Sequence, residues 1–257
     1  MSPPLAAALG AIAGAIIGSF IATIALRWPQ GRSVARGRSV CDGCGRALSA
    51  LEIIPIASWL VVRGKCRTCG SAIAREHIII ELASTVIGAA AFGFTPHLGG
   101  VALALLGWQL LLLGWLDARH WWLPHRLSAA LAASGLLFGG VAMTALGFDA
   151  GLTDRAIGMV VGYTSLAAIA FLYRRLRGRD GLGGGDAPML GALGAWTGWA
   201  ALPFVLLFAA LAGIAAALVR RLSMGQDTPL AAMRLPLGTL MALAVPFALL
   251  AMRLPGG

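Results

Sequence analysis

The chain has 257 residues, of which 59% are hydrophobic and only 12% are charged. Soluble proteins carry about 25% charged residues, and apolar runs close to the roughly 20 residues that cross a bilayer recur along the whole sequence. This composition excludes a soluble protein and predicts an all-α polytopic membrane protein. The net charge of +10 is then a matter of membrane topology rather than of nucleic-acid binding.

Eight apolar segments are predicted to be transmembrane helices. Pro203 marks the weakest division, because residues 187–219 form one continuous apolar tract. In the first segment Gly10, Gly14 and Gly18 stand four residues apart, a spacing that lets helix backbones approach closely and predicts helix packing. The segments are 4–26, 78–95, 98–116, 127–146, 154–173, 187–202, 203–219 and 234–253.

A polar segment, residues 27–77, separates the first helix (1–26) from the seven-helix remainder (78–257) and is predicted to be a small zinc-ribbon-like domain. It contains CDGCG at 41–45 and CRTCG at 66–70, two C-x2-C pairs that are each followed by glycine. This spacing is typical of a structural four-cysteine zinc site, and the glycines permit the tight reversal that turns two thiolates toward one ion. Two redox-active pairs, or four unrelated thiols, are the alternatives. The predicted ligands are Cys41, Cys44, Cys66 and Cys69.

An apolar run, LEIIPIASWLVV at 51–62, lies between the two cysteine pairs. It is shorter than the roughly 20 residues that cross a bilayer. We therefore expect it to form the core of the insert or to pack against the membrane face.

The basic residues predict the orientation of the chain in the membrane. Of the 20 lysines and arginines, all but Arg155 and Arg253 fall in the loops that follow the first, third, fifth and seventh spans. Basic loops stay in the cytoplasm, so we expect both termini outside it and the cysteine insert inside it. Structural disulfides are rare in that reducing compartment, which favours metal binding by the thiols.

Three of the ten acids adjoin predicted spans: Glu81, Asp117 and Asp186. Charged groups near membrane depth cost several kcal/mol unless they are paired or hydrated, so they are candidates for function. On the predicted topology Asp117 ends the third span and Asp186 opens the sixth at the same cytoplasmic face. Two carboxyl groups at close range share a proton, so that one acts as base on a water molecule while the other acts as acid. This pair predicts aspartic-protease chemistry.

Three glycines, Gly183, Gly184 and Gly185, directly precede Asp186. We expect them to adopt backbone conformations that other residues avoid, and to let a peptide strand approach closely. The alternative for Asp186 is an ordinary acid at a helix N-terminus. Asp117 has no such explanation, because an acid at a helix C-terminus opposes the helix dipole.

Together these motifs resemble the bacterial type IV prepilin peptidases, also called prepilin leader peptidase/N-methyltransferases. The cysteine insert, with its IPIASWL run between the two pairs, matches the family's insert. The other matching motifs, in the family's order, are GSF at 18–20, RWP at 27–29, IEL at 80–82, LDARHWWLP at 116–124, GGGD at 183–186, LGALGAW at 190–196 and LPLG at 235–238.

The resemblance implies a multi-pass enzyme of the bacterial inner membrane with two activities. It would cut a short basic leader from prepilins or pseudopilins, and it would methylate the new N-terminal amine with S-adenosylmethionine. Asp117 and Asp186 match the catalytic pair, and Gly183, Gly185 and Pro124 are the expected supporting residues. No motif indicates where the methyl donor binds.

Four features depart from the family pattern: Ala22 stands where asparagine is usual, His125 where an acid is usual and Pro188 where lysine is usual, and LPLG at 235–238 replaces PFG. A peptidase without methyltransferase activity is therefore one alternative. A proton-coupled transporter that uses the two aspartates as a relay is another, although two acids at one face give no path across the bilayer. A third is a non-catalytic assembly factor whose zinc insert docks a partner.

Overall fold

A computed structural model describes residues 2–34, 39–224 and 235–253 of the chain. Within these ranges the regular secondary structure is helical, which confirms the predicted all-α fold. The predicted start of the last span, residue 234, lies outside the described residues.

Nine α-helices occur in the described part of the chain. Six of them, α1, α3 to α6 and α8, are long and apolar enough to cross a membrane, while α7 and α9 have only 12 and 15 residues. The chain is therefore built as a multi-pass membrane protein. The helices are α1 Pro3–Arg27, α2 Ala57–Val61, α3 Arg75–Phe94, α4 Leu98–His120, α5 His125–Ala145, α6 Leu152–Arg177, α7 Asp186–Thr197, α8 Leu202–Met224 and α9 Leu237–Ala251.

The long apolar tract of residues 187–219 is divided, as predicted, near Pro203. Helix α7 ends at Thr197 and is followed by Gly198, whose φ of 81° lies in the left-handed region that favours glycine. Helix α8 begins at Leu202, so Pro203 stands in its first turn, where the missing N–H costs nothing. The segment predicted to span at 187–202 is thus a shorter helix than expected.

The chain divides into two compact units, residues 1–112 and 113–257. In the first unit α1 packs along α3, and the cysteine insert connects them. In the second unit α7 packs against α5 and α6, and α8 packs against α9. Helix α4 runs through the division.

Helices α1 and α3 approach each other at small residues, as the glycine spacing predicted. A Cβ atom at Gly14 would collide with the carbonyl oxygen of Ser84, and one at Gly10 would collide with that of Gly88. Only glycine therefore allows these two backbones to meet.

Helix α7 is buried within the second unit, although it is too short to span a bilayer. Ten of its residues are buried, including Trp196, which is 0% exposed. The indole Nε1 of Trp196 donates a hydrogen bond of 2.8 Å to the carbonyl oxygen of Leu131 in α5. The helix that begins with Asp186 therefore faces protein, not lipid.

The apolar run at 51–62 does not form a core for the insert. It folds into a 3₁₀-helix, Ala50–Ile53, and the short helix α2. Leu51, Leu60 and Val61 are 72%, 59% and 69% exposed. The expected apolar core of the insert is thus wrong, because two short helices cannot enclose side chains on both faces. Packing of this run against a membrane face stays a prediction.

Candidate active site

Asp117 lies in the last turn of α4 and is only 6% exposed. Its Oδ2 accepts a hydrogen bond of 2.8 Å from the backbone N–H of Thr239. The hydroxyl of Thr239 lies 3.2 Å from the same oxygen and shares its one proton with the carbonyl oxygen of Gly114, at 2.8 Å. Thr239 belongs to the first turn of α9, where backbone N–H groups have no partner within the helix. The acid that opposes the dipole of its own helix is therefore stabilised by the N-terminus of another.

Asp186 is the first residue of α7 and is also only 6% exposed. Its Oδ2 accepts a hydrogen bond of 2.8 Å from the backbone N–H of Gly183. The carboxyl group thus folds back over the glycine loop that precedes it. Among the described residues no ion pair to either aspartate occurs, so neither is held as part of a structural salt bridge.

The two aspartates lie near enough to interact electrostatically. Leu123 contacts the chain next to both of them: a Cβ at Gly185 would collide with Leu123, and one at Gly238 would lie 2.6 Å from its Cδ1 and 3.0 Å from Oδ2 of Asp117. Pro124, which precedes α5, is buried beside Leu123. The loop before α5 therefore packs against Gly185, which precedes Asp186, and against Gly238, which lies beside Asp117.

The glycines before Asp186 matter because they leave space for neighbouring groups, and not because they adopt unusual backbone angles. None of Gly183, Gly184 and Gly185 has a positive φ, so the expected conformation is not adopted there. Gly185 is required because Leu123 occupies the space of its side chain. Gly183 and Gly184 are exposed, and they leave the backbone beside Asp186 open to another strand.

The four cysteines of the insert come together at one point, as their spacing predicted. Their sulfur atoms all lie within 4.8 Å of one another, and the Sγ atoms of Cys41 and Cys69 are 3.8 Å apart. A tetrahedral metal with sulfur at about 2.3 Å requires a separation of about 3.8 Å between sulfurs, so the donor set fits a metal ion. Gly45 and Gly70 both have a φ of 70°, which confirms their predicted part in the two reversals.

Backbone N–H groups at each reversal lower the pKa of its first thiol, that of Cys41 or Cys66. Burial and the neighbouring sulfurs instead raise the pKa of the Cys44 thiol to about 11. The N–H groups of Cys69 and Thr68 donate to the sulfur of Cys66 and lower the pKa of its thiol to about 6. Thiolates are the form of cysteine that binds metals. None of the four cysteines forms a disulfide, so all four sulfurs are available to bind one metal ion.

One polar partner in these sites escapes prediction from the sequence. Thr239 lies 122 residues from Asp117, and nothing in its sequence context distinguishes it from other threonines. Glu81, by contrast, is one of the three acids that the sequence singles out beside an apolar segment, although its partner in the insert is not predictable. It is 6% exposed, and its carboxylate accepts a hydrogen bond of 2.7 Å from the N–H of Ile56 in the insert.

Two protein-family models match this chain. Residues 12–94 match the bacterial peptidase A24 N-terminal domain, and residues 104–218 match the type IV leader peptidase family. The cysteine insert lies in the first of these regions, and both aspartates lie in the second.

Several relatives carry the name prepilin leader peptidase/N-methyltransferase. The one from Aeromonas salmonicida is 40% identical over 177 residues, which are 68% of this chain and 59% of the relative. The one from Burkholderia pseudomallei is 42% identical over 185 residues, 71% of this chain and 58% of the relative. The chain thus spans less than 60% of the length of these two relatives.

A third relative, from Pseudomonas aeruginosa, is 36% identical over 217 residues, which are 82% of this chain and 71% of the relative. No solved structure matches the chain significantly. On the strength of the two matched regions and of this coverage, the chain belongs to the type IV leader peptidase family.

Proposed function

We propose that this chain is a membrane aspartic endopeptidase that cleaves the basic leader from prepilins or pseudopilins and methylates the new N-terminal residue. The observation that carries the proposal is a pair of buried, electrostatically interacting aspartates with no counter-ion among the described residues. Unpaired buried acids are costly, so a protein that keeps two of them together needs them for chemistry.

The proposed cleavage uses one proton shared between Asp117 and Asp186. The ionised carboxylate removes a proton from a water molecule, whose oxygen then attacks the carbonyl carbon of the scissile peptide bond. The protonated carboxyl group donates a hydrogen bond to the carbonyl oxygen as negative charge develops there. Collapse of the tetrahedral intermediate breaks the C–N bond, and a proton passes to the leaving amine. The pair titrates as one unit, so neither residue has a fixed assignment as acid or base.

The surroundings of the pair support this chemistry in two ways. Hydrogen bonds from Thr239 and from Gly183 fix each carboxyl group through its Oδ2, which orients both before substrate arrives. The exposed glycines at 183 and 184 leave room for an extended peptide beside Asp186. A leader peptide held there would present its scissile bond to the carboxyl groups.

Thr239→Val is expected to lower kcat/KM for leader cleavage by roughly threefold, because it removes a hydroxyl that Asp117 shares with the carbonyl oxygen of Gly114 and keeps the backbone N–H bond. The loss should fall on kcat rather than on KM, since Thr239 orients Asp117 instead of binding substrate. Steady-state kinetics with a prepilin peptide measure both constants. Thr164→Val, an exposed position on α6, is the matched control, and equal rates for the two variants would contradict the positioning of Asp117 by Thr239.

The metal of the insert is proposed to be zinc in a structural site. Four thiolates complete a tetrahedral shell and leave no open position for a substrate or a water molecule. The charge distribution supports an arrangement in which the insert and both aspartates lie on the cytoplasmic side of the inner membrane, with both termini on the other side.

The proposed methyl donor is S-adenosylmethionine, as the names of the relatives support. Its sulfonium supplies a methyl group that an unprotonated amine takes up with loss of a neutral thioether. A peptidase without this second activity remains the competing function. Ala22 favours it, since this buried position of α1 has no polar group where the family usually has an amide.

One incubation tests both activities. Purified protein is mixed with a synthetic prepilin peptide, with or without S-adenosylmethionine, and the products are identified by mass. We expect loss of the leader in both cases and one added methyl group only with the donor. An intact peptide would overturn the peptidase, whereas a cleaved but unmethylated product in the presence of donor would overturn the methyltransferase alone.

A further inference from the structure

An exposed apolar surface lies on the cysteine insert of the first unit. Five large apolar side chains from the run at 51–62 are between 45% and 72% exposed. Exposed apolar patches of this kind mark sites of interaction with a protein or a membrane. We name this patch the insert surface, and its side chains are those of Leu51, Ile53, Ile54, Leu60 and Val61.

A hydrogen bond fixes the insert surface beside the first turns of α3. The N–H of Ile56 donates to Oε2 of Glu81 at 2.7 Å. Glu81 lies six residues beyond the start of this membrane-length helix, about 9 Å along its axis at 1.5 Å per residue. Its neighbours Ile79 and Leu82 are exposed, so α3 presents apolar side chains outward at this level. Interfacial segments bury their apolar faces about 5–10 Å into a bilayer, which is a similar depth.

Two strained backbone positions flank the helix α2 that carries part of the insert surface. Ile56, directly before α2, has φ 62° and ψ −57°, a rare turn geometry for a β-branched residue. Arg63, two residues after α2, has φ 51°, where glycine is usual at the end of a helix. Such strain persists where the surroundings enforce a functional geometry. Here the first position holds α2 against Glu81, and the second ends α2 with an exposed basic residue.

The charge next to the insert surface is positive. From residue 53 to residue 75 the sequence has four basic residues and no acid. Arg63, Lys65 and Arg67 are exposed, and they form no ion pair in the part of the chain that the structure describes. The whole insert, residues 27–77, has nine basic residues and three acids, so it stays basic even when four thiolates hold a divalent ion. An apolar surface beside unpaired basic residues fits a bilayer with anionic headgroups.

We infer that the insert surface lies in the headgroup region of the leaflet on its own side of the membrane and binds anionic phospholipid, with Arg63 contacting a lipid phosphate. Two other occupants fit the charges less well. A basic leader peptide is repelled by the same cations, and so is the basic insert of a second copy of the chain. The lipid contact anchors the insert beside α3 and takes no part in either proposed activity.

Hydrogen exchange in lipid nanodiscs tests this contact. Full-length protein with its metal is reconstituted at one chain per disc and without peptide, so that neither a second copy nor a substrate covers the surface. The discs contain phosphatidylcholine with a rising fraction of phosphatidylglycerol, and mass spectrometry follows amide exchange in residues 51–67. We expect protection to increase with the anionic fraction. Arg63→Gln should raise the fraction that gives half-protection roughly fivefold, the equivalent of about 1 kcal/mol for one basic residue at an anionic surface.

Two further variants separate lipid binding from a structural role. Arg63→Gly removes the same charge and relieves the left-handed strain, so it should keep the unfolding temperature of the wild type and still show the fivefold shift. Arg32→Gln removes an exposed charge elsewhere in the insert, one that pairs with Asp42, and it should leave the half-protection fraction unchanged. Exchange that does not depend on the anionic fraction, or an equal shift in Arg32→Gln, would overturn the lipid site. Protection that requires added prepilin peptide or two chains per disc would assign the surface to that partner and overturn it as well.

Discussion

Asp186→Asn is expected to lower leader cleavage by roughly 10³-fold or more, and Asp117→Asn is expected to do the same. An amide has nearly the shape of a carboxyl group, and its oxygen can still accept the N–H of Gly183 or of Thr239. It cannot remove a proton from water or share one with its neighbour, and general acid–base catalysis contributes about 10²- to 10⁴-fold. Because the two residues act as a unit, the double variant should be little worse than either single one. Initial rates with a prepilin peptide give the comparison.

Asp180→Asn is the matched control for this pair of substitutions. Asp180 lies in the loop before Asp186, is 77% exposed, and pairs with Arg174 at 3.6 Å. An exposed ion pair contributes little, so both stability and cleavage should be unchanged. Undiminished cleavage in Asp117→Asn or in Asp186→Asn would contradict the proposed mechanism. An equal loss in Asp180→Asn would show that the assay reports on the loop and not on the chemistry.

Cys66→Ser is expected to remove the metal from the insert and to unfold it. The described part of the insert, residues 27–34 and 39–77, has no apolar core, since Leu51, Leu60 and Val61 are exposed. We therefore expect the four thiolates to be its main source of stability. Structural zinc contributes about 10–16 kcal/mol of apparent binding free energy in small domains. Elemental analysis should find one metal ion per wild-type chain and none in the variant. Limited proteolysis should cut the variant within residues 39–77.

Asp42→Asn provides the control for the insert, because Asp42 lies between two ligands but is 64% exposed and, among the residues that the structure describes, pairs only with Arg32. It should keep the metal and resist proteolysis. A folded, protease-resistant insert in metal-free Cys66→Ser would contradict a structural site. If a chelator stopped cleavage while the insert stayed folded, the metal would take part in catalysis, which a closed shell of four sulfurs does not allow.

The cysteine site was predictable because its determinants are local. Each C-x2-C pair and its following glycine form one reversal of the chain, so the spacing alone sets the geometry of two ligands. The positive φ values at Gly45 and Gly70 follow from the same few residues. The prediction that the two cysteine pairs lie together required only the assumption that both bind the same metal ion.

The aspartate pair was predictable through topology rather than through local sequence. Counting spans placed Asp117 and Asp186 at one membrane face, and in the structure both lie in the second unit and interact. The residues that orient them were not predictable, since Thr239 reaches Asp117 only through the packing of α9. The backbone of the glycine loop was also misjudged, because the need for Gly185 comes from Leu123 and not from a turn.

Arg155 shows how a charge count can mislead about a single residue. The basic-loop pattern identifies it only as one of two basic residues outside the predicted cytoplasmic loops. In the structure it is 7% exposed, and its guanidinium donates to the carbonyl oxygens of Gly135 and Leu136 in α5 and of Ala150. Backbone carbonyls can satisfy an arginine within the protein, and no sequence pattern marks that kind of partner.

The most direct test of the central claim, that two aspartates together activate one water molecule, is a single turnover in heavy-oxygen water. Purified protein in excess cleaves a prepilin peptide once, and mass spectrometry then locates the heavy oxygen. The proposed mechanism predicts one heavy oxygen in the new carboxyl group of the leader and none in Asp117 or Asp186. Heavy oxygen in either aspartate side chain would indicate a covalent acyl-enzyme and would contradict the mechanism, as would a peptide that remains intact.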